Sequence, residues 1–183
     1  MSPDRDEIDA IRERWAALRP GLDTEPIDLL GRILRAAALV GRRGDEFLLR
    51  YGLTRGEFDI LSALRRGGAP QSPGSLRTVS LASGPAVTKR LRSLEARGLV
   101  ERSANPADGR GALIALTGDG VALIDEVFPR LLEVERALLA AVPDAARPAA
   151  VTGLRAVLAS IEAAPAAGPV PAPAGPGPAQ TSE

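Results

Sequence analysis

Residues 83–117 read SGPAVTKRLRSLEARGLVERSANPADGRGALIALT, and the change of period within them decides the fold. Ser83, with Pro85 just behind it, opens a helix in which Val87, Leu91 and Leu94 recur on one side until Gly98. Beyond Gly98 the helical spacing is lost. Leu99-Val100-Glu101-Arg102 and Ala112-Leu113-Ile114-Ala115-Leu116 flank Asn105-Pro106-Ala107-Asp108-Gly109, which reads as two strands joined through an Asp-Gly turn. Upstream, Thr54 and Glu57 form a capping box ahead of Phe58, Leu61 and Leu64, with Gly67-Gly68 as the stop. Ser72-Pro73 then opens another short helix carrying Leu76 and Val79. Three short helices followed at once by a hairpin predict a mainly α fold, a winged helix-turn-helix with a two-stranded β wing.

Longer helices flank this unit. Ser2 and Pro3 are the expected cap and first position of a helix with Ile8, Ile11, Trp15 and Leu18 in one stripe, ending at Pro20-Gly21. A second helix starts at Pro26, carries Ile27, Leu30, Ile33 and Leu34, and runs to Tyr51-Gly52. Thr117 caps a long helix through Leu139, with a bend expected at Pro129, and a last helix spans about 144–163 with Val151, Leu154, Leu158 and Ile161. The division that follows is 1–52 N-terminal helices, 53–117 winged unit, 118–163 C-terminal helices and a 164–183 tail. The tail holds six Pro and three Gly in twenty residues and is expected to be disordered. The terminal helices carry more apolar positions than a small domain needs, so they are expected to pair in a homodimer, although the same stripes would also serve to cover the winged unit of a monomer.

Composition narrows the chemistry. The chain has 183 residues, 45% hydrophobic, with neither Cys nor His. That removes disulfides, imidazole bases, Ser-His-Asp and Cys-His nucleophiles and nearly every transition-metal site, so no cofactor and no enzyme activity are expected. With no apolar run of about 18 residues and a charged N-terminus, the expected protein is cytoplasmic and makes no use of a membrane.

The formal charge of zero conceals a segregation. Residues 1–31 hold eight acids against four arginines, whereas residues 85–110 hold six cations against three acids. At 100° per residue, the side of the third short helix opposite Val87, Leu91 and Leu94 carries Pro85, Lys89, Arg92, Ser93 and Ala96, with Thr88 at its flank. A solvated helix face has the same pattern. In a winged unit that face, with Ser83 at the helix start, is expected to lie in the major groove of double-stranded DNA, where Thr88, Lys89 and Arg92 donate to phosphates or base edges.

Order and spacing together resemble the multiple-antibiotic-resistance regulator (MarR) family over roughly residues 10–162. The motifs are Leu53-Thr54-x-x-Glu57-Phe58-Asp59-Ile60-Leu61, Ser83-Gly84, Val87-Thr88-Lys89-Arg90-Leu91, Leu94-Glu95-x-x-Gly98-Leu99-Val100, Asp108-x-Arg110-Gly111 and Leu116-Thr117-x-x-Gly120. The resemblance implies a dimeric repressor that binds a palindromic operator and leaves it when a small ligand binds. It also implies that Arg110 enters the minor groove while Asp108 orients the wing. The family's usual Asp-Arg-Arg reads Asp108-Gly109-Arg110 here, so one wing cation is missing.

Arg14-Trp15, Arg19-Pro20, Leu22-Asp23, Glu25-Pro26 and Gly31-Arg32 resemble the leader of the urate-responsive branch of that family. Carried onto matching motifs, that branch's ligand-binding residues fall on Trp15, Asp59, Arg90 and Arg102, and the implied effector is urate or a related small aromatic anion. The residue types suit it, since an indole stacks on a purine and guanidinium groups take its anionic edge. Duller roles fit the same residues: packing for Trp15, a structural ion pair for Asp59, phosphate contact for Arg102. Two other function classes compete, a phenolic or other aromatic effector on the same scaffold, and a dimeric winged-helix adaptor that binds no operator.

Overall fold

The computed structural model describes residues 5–80, 83–106 and 111–165. Residues through Leu139 form one compact unit and those from Ala140 a second. Helix α1 spans Glu7–Leu18 and α2 spans Glu25–Leu48, followed by a single 3-10 turn at Leu49–Tyr51 and Gly52 in the left-handed region. The cap of α1 is Asp6, not the expected Ser2. Its carboxylate accepts from the amides of Ile8 and Asp9 at 2.8 and 3.2 Å, and Asp9 answers by accepting from the Asp6 amide at 2.9 Å.

The reading unit follows as expected: α3 (Arg55–Gly67), α4 (Pro73–Ser80) and α5 (Gly84–Ala96), then β1 (Val100–Ala104) and β2 (Ala112–Leu116). Thr54 and Glu57 close the capping box of α3, and Gly68 ends that helix at φ +63. Strands β1 and β2 pair antiparallel with Arg102 opposite Ile114. A second pairing went unforeseen. Gln71 exchanges both backbone hydrogen bonds with Ile114 at 2.9 Å, so the segment ahead of α4 lies along the other edge of β2.

One apolar core unites these elements. Val87, Leu91 and Leu94 of α5 are fully buried against Leu61 and Leu64 of α3, Leu76 of α4, Val100 and Ile114 of the wing, and Leu48 of α2. Helix α6 (Gly118–Leu138), capped by Thr117, brings Ile124, Val127 and Leu131 to the same core. Its Gly120 sits on the Leu99 carbonyl so closely that a Cβ would overlap it, which fixes the start of α6 against the base of the wing.

Helix α1 joins α2 with little apolar burial. Of its stripe only Ile8 is buried, lodged against Gly31, while Trp15 is 43% exposed. Charge does the rest. Arg32 of α2 binds Asp6 and Asp9 of α1 as well as Asp28, which holds its guanidinium protonated well beyond the ordinary arginine range, and Arg35 pairs with Glu7 at 2.6 Å. Leu29, Leu30, Leu34 and Leu39 of α2 are exposed. In the second unit, a 3-10 turn at Asp144–Ala146 leads into α7 (Arg147–Ala163), where Val151, Leu154, Leu158 and Ile161 are each more than half exposed. Residues 166–183, most of the expected tail, lie outside the described residues.

Candidate nucleic-acid interface and effector site

Burial of Val87, Leu91 and Leu94 turns the opposite side of α5 outward. Pro85, Thr88, Lys89 and Arg92 are exposed, as is Ser83, which precedes the helix in extended conformation and whose hydroxyl caps no amide of it. Among the described residues neither Lys89 nor Arg92 is tied into an ion pair, so both ammonium and guanidinium are available to phosphate. Thr88 Oγ1 donates back to the Gly84 carbonyl at 3.0 Å. Arg77 of α4 is also exposed, beside Gly84. The wing residues Asp108, Gly109 and Arg110 lie outside the described residues.

Not all of the basic segment faces outward, which corrects the charge count made on the sequence. Arg97 donates to the Gly52 carbonyl at 2.9 Å and stands 4.0 Å from Glu57, while Arg102 is paired with Glu95 at 3.0 Å. Ser93, expected on the groove face, is half-buried and donates to Glu57 Oε1 at 2.6 Å. It lies about 120° from the centre of the buried face, so its short side chain still reaches α3.

Glu57 is buried and charged. Burial pushes its carboxyl up, but the Ser93 hydroxyl, the Thr54 amide and hydroxyl and the Arg97 guanidinium outweigh that and hold it below the usual glutamate range. Sequence reasoning gave Glu57 only its capping role. The signal for more was Ser93 and Arg97, which share a flank of α5 at a spacing of four.

The four expected effector residues are placed unequally. Asp59 on α3 is half-buried; burial pushes its carboxyl above the usual range against the pull of Arg55, Arg90 and Arg66. Arg90 turns from α5 back onto α3, its guanidinium lying across Gly56 where a Cβ would overlap it. Asp59 and Arg90 are thus brought together. Arg102 leaves β1 on the flank of α5 that carries Glu95, five residues and so about 140° around from Arg90. Trp15 lies on α1 with Ile11, Arg14 and Leu18 around a hollow of about 220 Å³. A larger cleft of about 440 Å³ opens between α3 and α6, lined by Ser62, Arg65, Arg66, Asp125 and Phe128 among others, and none of the four expected residues lines it.

A cation-bearing helix packed on two others, followed by a hairpin held at its base, defines a winged helix-turn-helix DNA-binding protein. The model of the MarR family matches residues 51–111. The chain is 35% identical over 158 residues to the HTH-type transcriptional regulator PecS of Dickeya dadantii, an alignment covering 85% of this chain and 93% of PecS. Among solved structures, a mutant MarR from Escherichia coli complexed with operator DNA superposes with a TM-score of 0.61 at 26% identity, covering 76% of this chain and 99% of that one. Bordetella bronchiseptica BpsR, whose DNA binding is regulated by 6-hydroxynicotinic acid, superposes at 0.59 with 29% identity, covering 70% of this chain and 98% of BpsR. The chain belongs to the MarR family, whose members are transcription regulators and not enzymes. Among the described residues no helix is long and apolar enough to cross a membrane.

Proposed function

We propose that the protein is a repressor that binds a palindromic operator as a homodimer and is released by a small anionic aromatic ligand, urate or a related purine. The observation that carries the reading is Arg90. It is a cation on the helix whose other side faces the groove, yet it is turned away from DNA and laid beside half-buried Asp59. An anion that takes Arg90 and repels Asp59 acts on the seating of the reading helix itself. The likeness to PecS over most of both chains supports this choice of branch, and BpsR sets a precedent for a planar nitrogen-heteroaromatic effector. Homodimer formation is supported by the exposed leucines of α2 and by the uncovered apolar stripe of α7.

Trp15 lines its own hollow on α1 and Arg102 is paired with Glu95, so Asp59 and Arg90 form the centre of the proposed site. The cleft between α3 and α6 favours a second class of effector, phenolic or other aromatic acids, because Phe128 and the two guanidinium groups of Arg65 and Arg66 line it. One experiment separates the two. Titrating urate against the single tryptophan and against the operator complex is expected to quench the one and dissociate the other, both weakened in Trp15→Phe and Arg102→Ala. Release by a phenolic acid with no response to millimolar urate would select the second class.

A further inference from the structure

Two arginine side chains end where a glycine leaves room for them. Arg90 of α5 occupies the space over Gly56 of α3, and Arg55, at the first position of α3, occupies the space over Gly44 of α2; a Cβ on either glycine would overlap the guanidinium. Arg55 stands 3.5 Å from Asp45 and 5.7 Å from the centre of the Phe58 ring, which in turn stacks on Phe128 of α6 at an interplanar angle of 10°. Asp59 follows Arg55 by one helical turn, on the same face of α3. Among the charges that act on it, Arg55 pulls hardest, ahead of Arg90 and Arg66, while Asp45 opposes them. Arg–carboxylate pairs ordinarily close to about 2.7–2.9 Å. Arg55 is held more loosely than that by Asp45, and among the described residues Asp59 closes no ion pair with either arginine.

We propose that Arg55 is a further charged member of the effector site, an anion-contacting residue that shares Asp59 with Arg90 and thereby ties the seating of the recognition helix to α2. The proposal rests on the effector reading above and deepens it. A planar anion arriving beside Asp59 meets guanidinium forks from two helices, one anchored on the scaffold and one carried by the reading helix. Arg55 joins α3 to α2 and Arg90 joins α5 to α3, so an anion that draws Arg90 acts on α5. Taking Arg90 out of the Gly56 notch shifts α5 and not α2. Without Arg55, Asp59 loses the larger of these two pulls and keeps Arg90 at its present distance, and an arriving anion loses one of the two forks it needs.

Three full-length variants test this, with Arg43→Gln, an exposed α2 cation paired to Glu46, as control. Arg55→Gln removes the charge, Arg55→Lys keeps charge without the fork, and Gly44→Ala drives the guanidinium from its notch without changing any charge. Two readouts are taken: the Asp59 carboxyl titration followed by carbon NMR without ligand, and the urate concentration that half-releases the operator. The expected results are an upward shift of the Asp59 titration in Arg55→Gln and Gly44→Ala, and a half-release concentration at least tenfold higher in Arg55→Gln, partly rescued in Arg55→Lys and unchanged in the control. An Asp59 titration unmoved in both Arg55→Gln and Gly44→Ala overturns the proposal, as does a moved titration with half-release unaltered. If urate fails on the wild type while the Asp59 titration moves as stated, the charge sharing stands and the urate reading falls.

Discussion

The Ser93 hydroxyl donates to Glu57 Oε1 across 2.6 Å, so α5 is fastened to α3 by a hydrogen bond to a buried carboxylate. The second Glu57 oxygen accepts from the Thr54 amide and hydroxyl, both at 2.9 Å. One carboxylate therefore starts α3 and orients α5.

Ser93→Ala is expected to cost about 1.5–3 kcal/mol, the range for a hydrogen bond to a charged group, read as a lower urea midpoint at unchanged slope. The pH response has a definite sign. The folded carboxyl titrates below its unfolded value of about 4.3, so its stabilisation is complete above that value and disappears as pH falls through the folded one. Glu57→Gln should be less stable than wild type at pH 7 and should lose less on acidification. Equal slopes of stability against pH for the two would refute the assignment.

Lys89→Ala and Arg92→Ala should each weaken operator binding and reduce the salt slope by about two for a dimer on its palindrome, because each removes one phosphate-neutralising cation from each protomer. Arg97→Ala, whose guanidinium is engaged with Gly52 and Glu57, should lower stability with a smaller change in slope. Fluorescence anisotropy at several salt concentrations makes the comparison.

Asp59 runs opposite to Glu57. Burial lifts its folded value above the unfolded one, so the ionised form is disfavoured in the fold; the relative stabilisation lies at low pH and is lost as pH rises through the folded value. Asp59→Asn is therefore expected to melt higher than wild type at pH 7, with the advantage gone below about pH 4. Calorimetry at both pH values decides it, and a lower melting temperature at pH 7 would count against the assigned direction.

Leu34 of α2 is 70% exposed in the single chain. Leu34→Glu should leave the winged core folded, with unchanged helical signal, and weaken self-association by about 2 kcal/mol or more if the residue is central to the interface. Sedimentation measures this; an unaltered dimer would place the interface elsewhere.

The winged unit was legible because its signals are local. The Thr54-x-x-Glu57 box, the Val87, Leu91 and Leu94 spacing and the switch of period after Gly98 each lie within one element. Contacts between elements were not. The Gln71–Ile114 pairing involves a single residue on one side and leaves no periodicity, and the turn of Ser93 toward Glu57 depends on α3 standing at that flank. The start of α1 was misplaced because Ser2-Pro3 and Asp6 both satisfy the capping pattern, and only the reciprocal bond from Asp9 selects the second. The Trp15 stripe is only partly covered, with Ile8 buried, Ile11 half-buried and Leu18 exposed, because an apolar stripe does not name its partner. For the effector site, residue types were carried over from motifs, and the structure unites Asp59 with Arg90 while leaving Trp15 and Arg102 on other surfaces.

The pairing of Gln71 with Ile114 bears on which length changes the chain can absorb. Ile114 is held from both edges, by Arg102 of β1 and by Gln71, and its side chain is fully buried. Residues added beyond the last pair, Ala104 with Ala112, would lengthen the wing without displacing any of these partners. Only Ala69 and Pro70 lie between Gly68, which ends α3, and Gln71, so the length of this connection is set at one side by α3 and at the other by the bridge to Ile114, with buried Leu76 of α4 close behind. The loop that looks most dispensable, outside every helix and strand, is thus the one whose length the fold counts.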